Sequence, residues 1–180
     1  ITIIGGNLAV GSSYPLIAYT TLAGAGSYAL GTLPAGVGGN LSTVGNTIYF
    51  NVTGLTNTVW TGAVNGTWDI NNTANWTNTG TLGNKYINGS PVQFDDTGLN
   101  TTTISNSVAT TVSPISVLVT NNASNYAFKA NVIIAGAASL TKTGTANLTN
   151  STPNTYTGPT AINKGQLVVG VASVANTSGA

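Results

Sequence analysis

The stretch SLTKTGTANLTNSTPNTYTGPTAINKGQLVVG (139–170) sets the strongest limit on what this chain can become. Short apolar runs alternate with Thr and Asn, Gly recurs at near-regular intervals, and no 3.6-residue period is sustained. Alternation places every second side chain on one face, so each run reads as a strand with one buried side. The runs are too short and too evenly punctuated for the long strands of a sandwich. They fit strands stacked as successive coils of a β-solenoid.

Composition points the same way. Seven residues are charged, namely Lys85, Lys129, Lys142, Lys164, Asp69, Asp95 and Asp96. That is 4% of the chain, against roughly 25% in an ordinary soluble domain. Thr (31), Asn (23) and Gly (23) carry the surface instead, as suits pleated walls joined by tight turns. Without His or Cys the chain can build no imidazole base, thiolate nucleophile or zinc cluster, so the expectation is no enzyme and no cofactor. A net charge of +1 gives no electrostatic footprint for nucleic acid, and no apolar run reaches the roughly 18 residues of a membrane-spanning helix. There is no initiator Met and no signal-peptide pattern, which reads as a mature or excised segment. Eleven Asn-X-Ser/Thr sequons occur, as composition alone would supply; surface glycans are partners only if the chain is exported.

Along the chain, Tyr14–Tyr19, Ser27–Leu33 and Thr47–Val52 read as strands separated by Gly, Pro34 and Asn. Trp60, Trp68 and Trp76 come next at intervals of eight, with Asn-Gly and Asn-Asn pairs between them that suggest hairpin returns. Two readings stand for these Trp residues: a platform stacking on sugar rings, as in a carbohydrate-binding module, or a packed cluster sealing one flank. Asp69, Asp95 and Asp96 are the only carboxylates. They are weak Ca²⁺ candidates, or caps for turn amides, and nothing fixes the carboxyl separation that a glycosidase needs. From Thr101 onward the pattern is regular, with Val117–Val119, Val132–Ile134, Leu140, Leu148, Ile162 and Leu167–Val169 as inward positions. Lys142 and Lys164 are expected beside turns with their ammonium groups in water.

The two ends share a phase. Ile162–Gly170 and Ile3–Gly11 coincide in Ile, Gly, Leu, Val and Gly at five of nine places. Gly144 and Gly165 are 21 apart; Val119, Leu140 and Ile162 are spaced by 21 and 22; and Ile3 of a copy placed after Ala180 would come 21 later. The expectation is a chain cut between two rungs of one solenoid. Its last coil, through Ile162, Leu167 and Val169, would receive Ile1, Ile3, Leu8 and Val10 of another copy.

The segments LTKTGTANLT and NTYTGPTAINKGQLVVG closely resemble the autotransporter-associated β-strand repeat of long secreted bacterial surface proteins. WTGAVNGTWDINNTANWTN (60–78), VQFDDTG (92–98) and VSPISVLVTNN (112–122) resemble the region that commonly precedes this repeat. ITIIGGNLAVGSSYPLIAYTTLAG (1–24) resembles the region that commonly comes after it, so the likeness is circularly permuted. The resemblance implies a right-handed parallel β-helix, secretion to the cell surface, a role in adhesion or as a stalk, and no catalytic residues. The expected architecture is one all-β, elongated β-solenoid domain over 1–180. Residues 1–58 continue the solenoid of a preceding copy, 59–100 form a Trp- and Asp-containing side hairpin or flank, and 101–180 form regular coils. The expected function is a structural segment of an extracellular filament, sheath or adhesin stalk, with itself as partner through strand addition or a covalent array. It inserts in no membrane and binds no nucleic acid.

Overall fold

A computed structural model describes residues 8–23, 27–34, 36–77, 84–98 and 101–170. These are all-β, with no helix. Their organising feature is a parallel β-solenoid of about three turns. One wall stacks β4 (Thr58–Trp60), β6 (Val92–Phe94), β9 (Ser116–Val119), β12 (Ser139–Lys142) and β14 (Thr160–Ile162), all parallel. β5 (Trp76–Thr77) is added antiparallel outside β4. A second wall stacks β7 (Thr103–Ile104), β10 (Tyr126–Phe128), β13 (Leu148–Asn150) and β15 (Leu167–Val169). The third pairs β8 (Thr110–Val112) with β11 (Val132–Ile134). It continues without a strand through Thr155 N–H to Ile134 O (2.8 Å) and Thr157 N–H to Gly136 O (2.8 Å).

Each strand is only two to four residues long because a corner comes straight after it, yet alternation holds from β9 to β13. In β9, β10, β11 and β13 every second residue is buried and the one between is not. Register differs from the expected 21-residue phase. Val92 pairs with Val117, Val117 with Leu140 and Leu140 with Thr160, giving spacings of 25, 23 and 20. Val119 therefore stacks on Lys142 and not on Leu140. The Gly column did locate a real corner: Gly144 lies over the backbone of Asn121, and Gly165 over the backbone of Gly144. A Cβ on Gly144 would overlap Asn121 N, C and O, so only glycine allows the turns to stack this closely.

Residues 13–55 depart from the expected coil. β1 (Ser13–Ala18), β2 (Val37–Val44) and β3 (Thr47–Leu55) form a separate antiparallel sheet in the order β1-β3-β2. The two-residue turn Gly45-Asn46 explains the direction, since it reverses the chain where a coil needs a wide corner. The Ser27–Leu33 run pairs as no strand, whereas β2 was not foreseen. Its Gly38-Gly39 pair weakens β-propensity, but a Cβ at Gly39 would strike the ring of Phe50, so packing requires the glycine. The sheet turns Ile48, Phe50 and Val52 inward, and Phe50 and Val52 cluster with Val37 and the solenoid residue Ile115.

The Trp segment forms the expected flank, with β4 and β5 paired antiparallel, and its Trp60, Trp68 and Trp76 join the main solenoid core with Phe94, Tyr126 and Phe128. One further expectation is corrected. Lys142 is fully buried, because β12 is one residue longer than its apolar pattern suggests and alternation carries position 142 inward behind Leu140. Its Nζ donates to Gly144 O, and burial lowers its pKa from the ordinary lysine value. Lys164 is exposed, as expected.

Candidate assembly edge

The two ends of the solenoid are built differently. At the first, residues 60–77 fold back across the opening. Trp60 and Trp76 meet edge-on at 5.0 Å, while Trp68 packs against Tyr86 (5.5 Å), Phe94 (5.4 Å) and Phe128 (6.0 Å). Several polar groups there are matched inside the layer, while Trp68 Nε1 is buried without a partner among the described residues. Trp68 N–H donates to Asn106 Oδ1 at 3.0 Å, and Asn106 Nδ2 returns a bond to Trp68 O at 2.8 Å, imitating a strand pair with a side-chain amide. Buried Asn75 donates to Thr67 O and Asn65 Oδ1 and accepts from the N–H groups of Val64 and Asn65. None of the three indoles exceeds 1% exposure, so none presents a face to a sugar.

At the other end β14 and β15 are the outermost described strands. Ile162 stacks on Lys142 and Val169 on Asn150. The lower members are 0% and 6% exposed, the upper ones 53% and 49%. Leu167 is half-buried above the fully buried Leu148. These three expected association residues thus share one edge.

The other four, expected from another copy, lie near the opposite end of the sequence. Ile1 and Ile3 lie outside the described residues. Leu8 is half-buried against the antiparallel sheet, and Val10 is exposed in the turn before β1.

The carboxylates all act on turns. Asp69 accepts from Thr73 N–H (2.8 Å), Thr73 Oγ1 (2.6 Å) and Asn72 Nδ2 (3.1 Å). Asp95 accepts from Thr97 N–H and Oγ1 and from Gln93 Nε2. Asp96 reaches the next turn and accepts from the N–H groups of Asn122 (3.0 Å) and Ala123 (2.9 Å). These bonds, led by Ala123, lower its pKa. No group of three or more His, Cys, Asp or Glu able to hold a metal occurs among the described residues.

What sequence reasoning missed is the polar interior: Lys142, Asn106, Asn121 and Asn150 all sit inside the walls. It also missed a cavity of about 510 Å³ between the antiparallel sheet and the solenoid, lined by Leu16, Leu41, Phe50 and Ile115 among others. No signal short of knowing the strand partners would have located it.

No family model matches the chain, and neither a curated protein nor a solved structure matches it.

Proposed function

We propose that the chain is a structural segment of an extracellular filament, sheath or adhesin stalk, extended by parallel strand addition on β14 and β15. One observation carries this reading: Ile162 and Val169 stand about half exposed where the equivalent positions one turn below are covered. An uncovered strand edge offers unpaired backbone groups and apolar side chains together, and another strand layer satisfies both. A heterologous contact of this kind does not close on itself and produces a fibre. The added layer comes from another copy or from a covalently adjoining repeat. The low charge leaves little repulsion between stacked units.

Negative-stain microscopy with light scattering tests it. Purified protein is expected to form long uniform fibres, and Ile162→Lys combined with Val169→Lys to leave folded monomers. A wild-type chain that stays monomeric at all concentrations, or fibres that persist in the double variant, would overturn the reading.

A further inference from the structure

The cavity between the antiparallel sheet and the solenoid is graded from floor to mouth. Its lining includes Val37, Ile48, Phe50 and Ile115, each no more than 8% exposed. It also includes Tyr28, Thr32 and Asn88, all three exposed. The floor is apolar because β3 alternates, with Ile48 and Phe50 on the buried face and Tyr49 and Asn51 on the other. The volume of about 510 Å³ lies within the roughly 300–1,000 Å³ of pockets that hold a ligand. None of the seven charged residues of the chain lines it. An ion seated there would lose water and gain no opposite charge, so the lining selects a neutral occupant.

Asn88 sets the polarity of the mouth. Its Oδ1 accepts from Ser113 N–H (2.8 Å) and from the Tyr86 hydroxyl (3.1 Å). A backbone N–H can only donate, so the amide cannot be turned round and Nδ2 is committed to donating. Nδ2 has no acceptor among the described residues. A ligand that meets it must bring an acceptor oxygen, whereas the floor favours hydrocarbon. Both demands are met by one kind of molecule.

The geometry points to a binding site for a neutral single-chain amphiphile such as a fatty alcohol. Its hydrocarbon rests on Ile48, Phe50 and Ile115, and its uncharged oxygen accepts from Asn88 Nδ2 at the mouth. An alkylammonium head can only donate and so competes with Nδ2. A carboxylate brings a charge to a mouth that holds no cation. No residue of β14 or β15 lines the cavity, so this site stands apart from the assembly edge.

The probe is n-octanol, with octylammonium and octanoate as charged counterparts of equal chain length. Titrated into the isotope-labelled full chain, n-octanol is expected to shift the methyl NMR signals of Leu16, Leu41 and Ile48 to saturation. Those of Leu140 and Leu148, inside the solenoid, are expected to stay in place. Both charged probes should bind several-fold more weakly. Asn88→Asp keeps an acceptor for Ser113 and Tyr86 but replaces the donor with a negative charge. In that variant the order should reverse, with octylammonium binding several-fold more tightly than n-octanol. Leu41→Phe narrows the cavity from the side of β2 and should weaken n-octanol binding several-fold, a second check if Asn88→Asp does not fold. The absence of a saturable shift at the cavity methyls would overturn the inference. Equal shifts at Leu140 and Leu148 would do the same, because they would mean indiscriminate partition into the protein. Equal binding of the three probes by wild type, or an unchanged order in Asn88→Asp, would remove Asn88 from the site and the proposal with it. Broadening of the cavity methyls with protein concentration alone would assign the face to a second copy instead.

Discussion

The closed and open ends of the solenoid solve one problem in opposite ways. A stack of parallel strands must finish somewhere, and its last layer has backbone and apolar groups that nothing covers. At the first end the chain returns with β5 antiparallel to β4 and seats three indoles in the interior. At the last, β14 and β15 present Ile162 and Val169. The contrast teaches that stacking in this chain is directional. Among the described residues the end carrying β5 is closed where the other is bare, so under the proposed assembly two copies would not meet as identical faces.

The largest expected effect tests whether the closed end carries stability. Trp68→Ala removes a fully buried indole touching four other rings, and a loss of about 3–5 kcal/mol is expected in urea unfolding. Ile162→Ala, made on the exposed edge, should change monomer stability by no more than about 0.5 kcal/mol. Equal losses for the two would erase the distinction between the ends.

Next comes the corner that sets the spacing of the turns. Gly144→Ala forces a methyl group into the backbone of Asn121 and is expected to cost about 1–3 kcal/mol. Gly54→Ala, where a Cβ meets nothing, is the control and should be nearly neutral. A neutral Gly144→Ala would mean that the turns can separate at this corner without loss.

These two tests also mark how far the residues alone could be read. The alternation in β9 to β13 is visible in the chain, because period-two burial depends only on local geometry. The 21-residue phase was visible at Gly144 and Gly165 but misled at Val119 and Leu140. Corner packing and not apolar identity sets the register, and the corners differ in length. Direction for β2 and β3 was carried by the two-residue turn Gly45-Asn46, whereas β1 pairs with a strand remote in sequence and carries no mark of its direction. The burial of the indoles is one of the two readings their pattern allowed, and the Asn-Gly and Asn-Asn pairs between them already suggested the return that brings the rings together. Of the expected edge, Ile162, Leu167 and Val169 were legible as inward positions of a coil. Their exposure arises because the described chain stacks no further layer on them.

Lys142 probes the layer directly beneath the open edge. Its ammonium donates to Gly144 O and meets no carboxylate among the described residues. Replacing it with an apolar side chain of similar length should stabilise, and Lys142→Met is expected to gain about 1–2 kcal/mol at pH 7. The lowered pKa fixes the sign of the pH dependence. Between the depressed folded value and the unfolded value near 10.4 the unfolded chain binds more protons, so wild-type stability rises with pH there. Lys142→Met should lack that rise in a series of urea titrations. A destabilised variant would show that the amine is more valuable than its burial suggests.

The smallest effect belongs to Asp96, whose carboxylate ties one turn to the next through the N–H groups of Asn122 and Ala123. Its pKa is held below the ordinary aspartate value, chiefly by Ala123. A depressed carboxylate contributes stability that is complete above the unfolded pKa of about 3.9 and is lost as pH falls through the folded value. Thermal unfolding of wild type should therefore weaken below about pH 4 by a component that Asp96→Asn does not show. At pH 7 the variant should melt slightly lower than wild type, because an amide accepts these N–H bonds less strongly than a charged carboxylate. Identical acid profiles for the two proteins would mean that the clamp between these turns is held by backbone bonds such as Thr120 N–H to Phe94 O (2.8 Å). In that case the turns near the closed end would owe their cohesion to the ladder and the aromatic core alone.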